Sequence, residues 1–178
     1  MRVVAGKYRH RIIQMTQLDT TRETQDLVRG AIFNMIGPYF EGGTALDLFS
    51  GSGAMGIEAL SRGIQKVHFN DVVAEAIAIT KANCTNLKIE NASFSILDYK
   101  DFLKQTNLQW DIIFLDPPYK MDQAEELLRT VLPYVTHNGR IVYELAIATE
   151  YPLELGSLKL IKNKTYGIKR VLVYEMQV

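Results

Sequence analysis

Three glycines, Gly51, Gly53 and Gly56, stand in TALDLFSGSGAMGIEAL, directly after an alternating apolar run and at the opening of a helical one. Taken literally, G-S-G-A-M-G has the G-x-G-x-x-G spacing of a nucleotide-binding turn. Small residues let the backbone approach a ligand closely, and a helix N-terminus favours negative groups. A tight turn with no ligand would use the same residues. Asp47, four residues before Gly51, separates two ligands. A carboxylate gains nothing beside a pyrophosphate. It is favourable beside S-adenosylmethionine, which has no phosphate and carries an ammonium and a sulfonium. Asp71 follows after another apolar run and can bind both hydroxyls of a ribose in either ligand class. It can equally cap the helix that opens near Val72, and Asn70 is the weaker alternative for the ribose. A side chain at Gly53 is expected to fill ligand space and leave the fold intact.

The segment WDIIFLDPPYK carries the second chemical signal. Asp116-Pro117-Pro118-Tyr119 ends an apolar run, and two prolines cannot continue a central strand or a helix. They make a stiff corner that presents a carboxylate, a backbone carbonyl and an aromatic face together. These groups suit an exocyclic amine conjugated to a base. Such a nitrogen is a poor nucleophile, because its lone pair is delocalised. Two acceptors on its N–H groups, the Asp116 carboxylate and the Pro117 carbonyl, stabilise the positive charge that develops as it attacks. Tyr119 offers a stacking face for the base. Pro118 holds the corner rigid. The motif resembles the D/N-P-P-Y/F/W signature of amino-methyltransferases, and D-x-F-x-G-x-G, from Asp47 through Phe49 to Gly53, resembles the first motif of class I methyltransferases. In those families an acid at the position of Asp98 meets the adenine amino group. Asp98 is also a plausible helix N-cap.

Alternating segments position these residues. Strands are predicted at 44–49, 66–71, 92–97, 111–115, 139–145, 157–162 and 169–176. Helical stripes lie between most of them: Ile57 and Leu60 leading to Gly63, then Val73, Ala76, Ile77 and Thr80, and later Ala124, Leu127, Leu128, Val131 and Leu132. The last of these opens on a capping box at Asp122 and Glu125. Strands alternating with helices give right-handed βαβ units and a mostly parallel sheet. The final two strands have no helix between them and read as an antiparallel hairpin turning near Tyr166-Gly167. The expectation is a doubly wound α/β domain of about seven strands, with ligands at the carboxyl ends of the strands.

Ahead of this core, residues 1–11 carry Arg2, Lys7, Arg9 and Arg11 and no acid. Val3-Val4 and Ile12-Ile13 flank Gly6-Lys7, which suggests a small hairpin or extended arm. A helix should follow, opened by a Thr20–Glu23 capping box and stopped by Gly37-Pro38. Its predicted buried face is Leu27, Val28, Ala31, Ile32, Met35 and Ile36. Arg2, Lys7, Arg9, Arg11, Arg22 and Arg29 are candidate phosphate contacts, or else a solvated surface.

The 178 residues are 47% hydrophobic and 22% charged, enough apolar material for one domain core. No apolar run approaches the ~18–20 residues of a membrane span, and MRVVAGKYRHR is too charged for a signal peptide. One cysteine, Cys84, permits no intrachain disulfide, and a cytoplasmic protein is the expectation. Acids and bases balance at 20 each, so any grip on nucleic acid must be local. Cys84 and the three histidines form no metal or nucleophile pattern, and no metal is expected.

The combined pattern resembles the bacterial small-subunit ribosomal RNA guanine-N2 methyltransferases of the RsmD type along nearly the whole chain. MRVVAGKYRHRII, TRETQDLVRGAIFNMI, LDLFSGSGAMGIEALSRG, FLDPPY and Tyr166-Gly167 carry the resemblance. Glu23, Gly30 and His10 depart from it, standing for a proline, a larger residue and a common glycine. The resemblance implies a single Rossmann-like class I methyltransferase domain over 1–178, with an arm and helix at 1–43 and the catalytic core at 44–178. It implies S-adenosylmethionine as cofactor, held by Asp47, Phe49, Gly51, Gly53, Asp71 and Asp98. Asp116, Pro117, Pro118 and Tyr119 would act on guanine N2 of 16S ribosomal RNA, in the small subunit or its assembly intermediate. The size leaves little room for a separate recognition domain, so the shape of the RNA must supply much of the specificity. A DNA adenine-N6 methyltransferase shares the same chemistry. An NAD-dependent oxidoreductase and an inactive RNA-binding module fit fewer of the residues.

Overall fold

The computed structural model describes residues 1–17, 25–118, 120–121 and 123–177. Thr20, Arg22, Glu23, Tyr119 and Asp122 lie outside the described residues, so neither capping box is placed. Eight strands form one sheet: β1 (Thr44–Asp47), β2 (Lys66–Asp71), β3 (Ala92–Ile96), β4 (Trp110–Leu115), β5 (Val135–Ala146), β6 (Glu154–Leu155), β7 (Leu158–Tyr166) and β8 (Lys169–Met176). The order is β3-β2-β1-β4-β5-β8-β7-β6. The pairs from β3 to β5 are parallel, and those from β5 to β6 are antiparallel. The strand beyond the expected seven is β6. Its two residues are too few to show an alternation, and only their pairing with β7 reveals them. The β7–β8 hairpin turns through Gly167 at φ +59°.

Alternation divides the side chains between two cores. Ala45, Val67, Phe69, Ile112, Phe114, Val142, Val171 and Val173 face one side. There they meet the arm and helices α1 (Asp26–Ile36), α2 (Ala54–Ser61) and α3 (Ala74–Asn86). Leu46, Ile113, Leu115, Ile141, Tyr143, Leu172 and Tyr174 face the other, against α4 (Tyr99–Gln105) and α5 (Ala124–Val131). Because β1 has β2 on one side and β4 on the other, the strand order reverses at the carboxyl ends of β1 and β4. That is where a doubly wound sheet binds its ligand.

Helix α1 buries much of the face its apolar pattern predicts, since Ile32 and Ile36 are buried and Val28 and Met35 pack against the core, but the face is shifted to take in Arg29 and Phe33. Arg29, Ile32, Phe33 and Ile36 are buried, whereas Leu27 is 86% exposed. Apolar character alone misses the start of the face, because its first fully buried residue is an arginine. Arg29 Nε donates to Glu58 Oε1 at 3.2 Å and Nη2 to Asp26 Oδ1 at 2.9 Å, and Nη2 also bonds the Arg2 carbonyl. Glu58, buried on α2, further accepts from Arg62 Nε at 2.7 Å and from the backbone N–H groups of Val4 at 2.8 Å and Ala5 at 3.1 Å. One carboxylate thus binds the arm, α1 and its own helix.

The arm is the expected small hairpin. Arg2 bridges Ile12, and Val3 N–H donates to Arg11 O at 2.9 Å. Gly6, at φ +88°, lies so close to α2 that a Cβ there would stand 1.9 Å from Ser61 O. His10 adopts φ +70° and still donates its N–H to Val3 O at 2.9 Å, so the histidine does not open the arm. A Cβ at Gly30 would meet Val4 Cγ1 at 3.3 Å, so the small residue on α1 lets the arm pack closely. Removing one partner of a buried charge network typically costs about 3–5 kcal/mol, because the remaining charges stay desolvated. Glu58→Ala should lose stability on that scale in urea unfolding. A loss below about 1 kcal/mol would show that the arm and α1 dock without Glu58.

Candidate active site

The β1–α2 loop is braced from below by side chains of four elements. Asp47, buried at the end of β1, accepts the N–H of Gly56 at 3.0 Å and so satisfies a donor in the first turn of α2. Asp71, at the end of β2, accepts Gly51 N–H at 3.0 Å with Oδ2 and Val73 N–H at 2.9 Å with Oδ1. Thr80 on α3 donates to Gly51 O at 2.7 Å, and Asn83 donates to Ser52 O at 2.9 Å. Asn70 is buried and donates to Leu48 O at 3.2 Å and Leu97 O at 3.0 Å, tying the β1 loop to the β3 loop. It is a brace between loops. Phe49 packs against Tyr99 with ring centroids 5.4 Å apart. Asp98 caps α4 by accepting Lys100 N–H at 2.9 Å and remains exposed.

This loop suits a cationic nucleoside better than a dinucleotide. Residues 47–56 contain no lysine or arginine to meet a phosphate, and two carboxylates border the glycines. Gly51 and Gly53 adopt φ +55° and +84°, which side chains rarely tolerate. Asp47, Asp71 and the glycine backbone are thus a donor and acceptor set that fits S-adenosylmethionine.

Asp116 stands at the end of β4 on the same sheet face as Asp47. Its neighbours include two groups that sequence reading missed. Lys169 Nζ lies 3.5 Å from Asp116 Oδ1 and 3.5 Å from Glu144 Oε1. Burial, then Glu144, raises the Asp116 carboxyl well above the usual carboxylate range, and Lys169 opposes them. Burial alone would lower the Lys169 ammonium, but Asp116 and Glu144 outweigh it and raise the group above an ordinary lysine. Asp116, Pro117, Pro118, Met121, Glu144 and Lys169 line a small cavity beside this cluster. Counting alternate residues along β5 and β8 would have placed Glu144 and Lys169 on the Asp116 face, but pairing these strands needs the fold. Tyr119 lies outside the described residues.

A family model described as Conserved hypothetical protein 95 matches residues 1–175. The chain belongs to that family. The chain is 39% identical to YlbH of Bacillus subtilis, over 98% of both chains. It is 32% identical to the ribosomal RNA small subunit methyltransferase D of Haemophilus influenzae, over 98% of this chain and 93% of that one. The solved yhhF structure from Escherichia coli superposes with a TM-score of 0.88 at 25% identity, covering 99% of this chain and 98% of the other. The fold is that of the class I methyltransferases.

The arm keeps its four basic side chains at the surface, and the candidate that is lost lies on α1. Lys7, Arg9 and Arg11 are exposed, although Arg11 Nη2 also donates to Asn86 O at 3.1 Å. Arg2 is exposed as well. Arg29 is not a phosphate contact: it is fully buried and spent on Glu58, Asp26 and the arm. Arg22 lies outside the described residues. Among the described residues no group of His, Cys, Asp and Glu is arranged to hold a metal ion. Cys84 is packed, and burial pushes its thiol up to about 12.

The glycines also serve the fold itself. A Cβ at Gly53 would lie 2.7 Å from Thr80 Cγ2 and 3.3 Å from Phe69 Cε1, and one at Gly56 would lie 2.3 Å from Phe69 Cε1. The expectation that a Gly53 side chain spares the fold is therefore wrong. It would collide with α3 and β2. Left-handed strain costs about 1–3 kcal/mol and overpacking about as much again. Gly53→Val should therefore lower stability by roughly 2–5 kcal/mol. A thermal melt within a degree or two of the wild type would contradict that packing account.

Proposed function

We propose that the chain methylates the exocyclic N2 of a guanine in 16S ribosomal RNA, taking the methyl group from S-adenosylmethionine. The observation that supports this most directly is the Asp116-Pro117-Pro118 corner, at the same sheet edge as the glycine loop, in a chain of this family. The name of the Haemophilus relative supports the small-subunit RNA as substrate. A cytoplasmic location follows from that substrate. The proposed division is an arm and helix over 1–43 and a catalytic core over 44–178, within one domain.

S-adenosylmethionine, when bound, supplies a methyl group on a sulfonium sulfur that leaves as a neutral thioether. The chain's own residues do the rest. Asp47 and Asp71 hold the glycine loop and place negative charge beside the cationic ligand. Asp71 is assigned to the ribose and Asp98 to the adenine. The present hydrogen bonds of both carboxylates are compatible with this, since each oxygen has a further lone pair. Phe49, held against Tyr99, borders the loop. Asp116 and the Pro117 carbonyl accept from the guanine amino group. Their hydrogen bonds strengthen as positive charge develops on nitrogen, so they act mainly on the transition state. Pro118 stiffens the corner, and Tyr119 is assigned to stacking on the base. A proton leaves the nitrogen after it has attacked, so no separate histidine base is required.

The assignment is tested by mapping modified nucleotides in ribosomal RNA from cells lacking the gene. Loss of one N2-methylguanine from 16S RNA is the expected result, and an unchanged map would overturn it. In the purified protein, Asp116→Ala should lower kcat by roughly 10²–10³-fold while the cofactor dissociation constant hardly moves. Near-normal turnover would make the corner purely structural.

The exposed arm is assigned to RNA phosphates through Arg2, Lys7, Arg9 and Arg11. Each phosphate contact releases counterions, so log affinity falls linearly with log salt. Arg9→Ala/Arg11→Ala should flatten that slope for RNA by roughly one to two units. Identical slopes for the variant and the wild type would remove the arm from the RNA surface.

A further inference from the structure

The register of three adjacent strands brings Asp116, Glu144 and Lys169 together. Leu115 pairs with Tyr143, so Asp116 follows β4 at the level of Glu144 on β5. Glu144 pairs with Val171 and Ala146 with Lys169, so Lys169 enters from the first residue of β8. All three side chains point to the face that holds Phe114, Val142 and Val171. Asp47, paired with Phe114 across β1 and β4, lies on that face as well.

The cluster is buried. The Glu144 side chain is 3% exposed, and those of Asp116 and Lys169 are 17% exposed. Among the described ion pairs Lys169 meets both Asp116 and Glu144, and Asp47 acts on Asp116 as a further negative charge. At 3.5 Å from each carboxylate, Nζ is at ion-pair distance, beyond the ~2.7–2.9 Å of a tight charge-assisted bond. Two buried carboxylates without a cation would share a proton. A protonated Asp116 would present an O–H to the substrate amine in place of one of its acceptors.

We propose that Lys169 and Glu144 are positioning residues for methyl transfer: the ammonium, held between the two carboxylates, fixes where Asp116 stands and favours its proton-free, accepting form. This rests on the role assigned to Asp116 in the proposed function. Lys169 supplies the cation. Glu144 anchors that cation on the far side from Asp116, which stops the ammonium from closing fully onto the acceptor. Neither residue needs to touch the cofactor. The described charged groups acting on Asp116 are thus Asp47 from β1, Glu144 from β5 and Lys169 from β8.

The two substitutions have opposite signs, which a general loss of structure would not produce. Removing the cation favours the protonated acid, so Lys169→Met should raise the Asp116 titration midpoint by roughly 1–3 units. Removing the neighbouring anion favours the carboxylate, so Glu144→Gln should lower it. Lys169→Arg keeps the charge and should stay near the wild type. The readout is carbon-13 NMR of protein labelled at the aspartate carboxyl carbons, with the Asp116 signal identified by its absence in Asp116→Asn. The acid limb of the kcat–pH profile should move with each midpoint, while cofactor affinity stays constant. Lys169→Met should therefore regain turnover as pH rises.

Midpoints unmoved in Lys169→Met and Glu144→Gln would overturn the proposal, as would a kcat profile that ignores a moved midpoint. If Lys169→Met does not fold by circular dichroism, Glu144→Gln decides alone, and a midpoint that fails to fall is the overturning result. A wild-type protein that transfers no methyl group to the RNA would overturn the proposed function instead, and the NMR titration would still decide whether the pair governs Asp116.

Discussion

Glu58 is the charge on which the placement of the N-terminal third depends. Its carboxylate is fully buried and meets two guanidinium groups and two backbone N–H groups from three separate segments. No apolar side chain could replace it, because Arg29, Arg62 and the arm amides would then be left in a dry interior without an acceptor. The network is therefore better understood as a specificity device than as a source of net stability. It admits one seating of the arm on α2 and one rotation of α1. The glycine at position 6 and the small residue at position 30 are the steric side of the same constraint.

A second constraint comes from alternation in the sheet. Asp71, Asp47, Asp116 and Glu144 lie at the carboxyl ends of four neighbouring parallel strands, Lys169 joins them from the start of antiparallel β8, and all project from one face. Four acids on one edge repel one another, and burial raises the cost. Hydrogen bonds from Gly51, Val73 and Gly56 offset it at Asp71 and Asp47, and one lysine offsets it at Asp116 and Glu144. The edge thereby gains a negative surface that suits a sulfonium and a substrate amine. The same carboxylates that would recognise the ligand also hold the backbone in place, so recognition and local folding cannot be separated there.

What could be read from the chain follows from how local each signal is. The glycine loop, the Asp-Pro-Pro corner and the strands from 66 to 71 and 169 to 176 are legible because a few consecutive residues determine them. Asp98 as a helix cap and Cys84 as a packed residue are legible for the same reason. The place of Arg29 on the inward face of α1 is not, because its burial depends on Glu58 nearly thirty residues away. Lys169 is not, because its partners lie on β4 and β5 and meet only through the antiparallel return of β8. The two-residue β6 leaves no periodic trace at all. Gly53 was legible as a residue but not as a contact, since the atoms it avoids belong to Thr80 and Phe69.

Asn83 connects the two ends of the functional surface. Its amide donates to Ser52 O in the glycine loop and to Gln14 O in the arm, and its carbonyl accepts Gln14 N–H at 2.8 Å. An amide side chain can bond both segments because it has donors and an acceptor on one planar group. The arm is therefore not an independent appendage beside the cofactor loop. The same α3 residue fixes the glycine loop and the segment assigned to RNA. A displacement of the arm large enough to break the Gln14 bonds would leave the Asn83 amide without two of its partners. The Ser52 carbonyl would then be held by a side chain that has lost its own anchor.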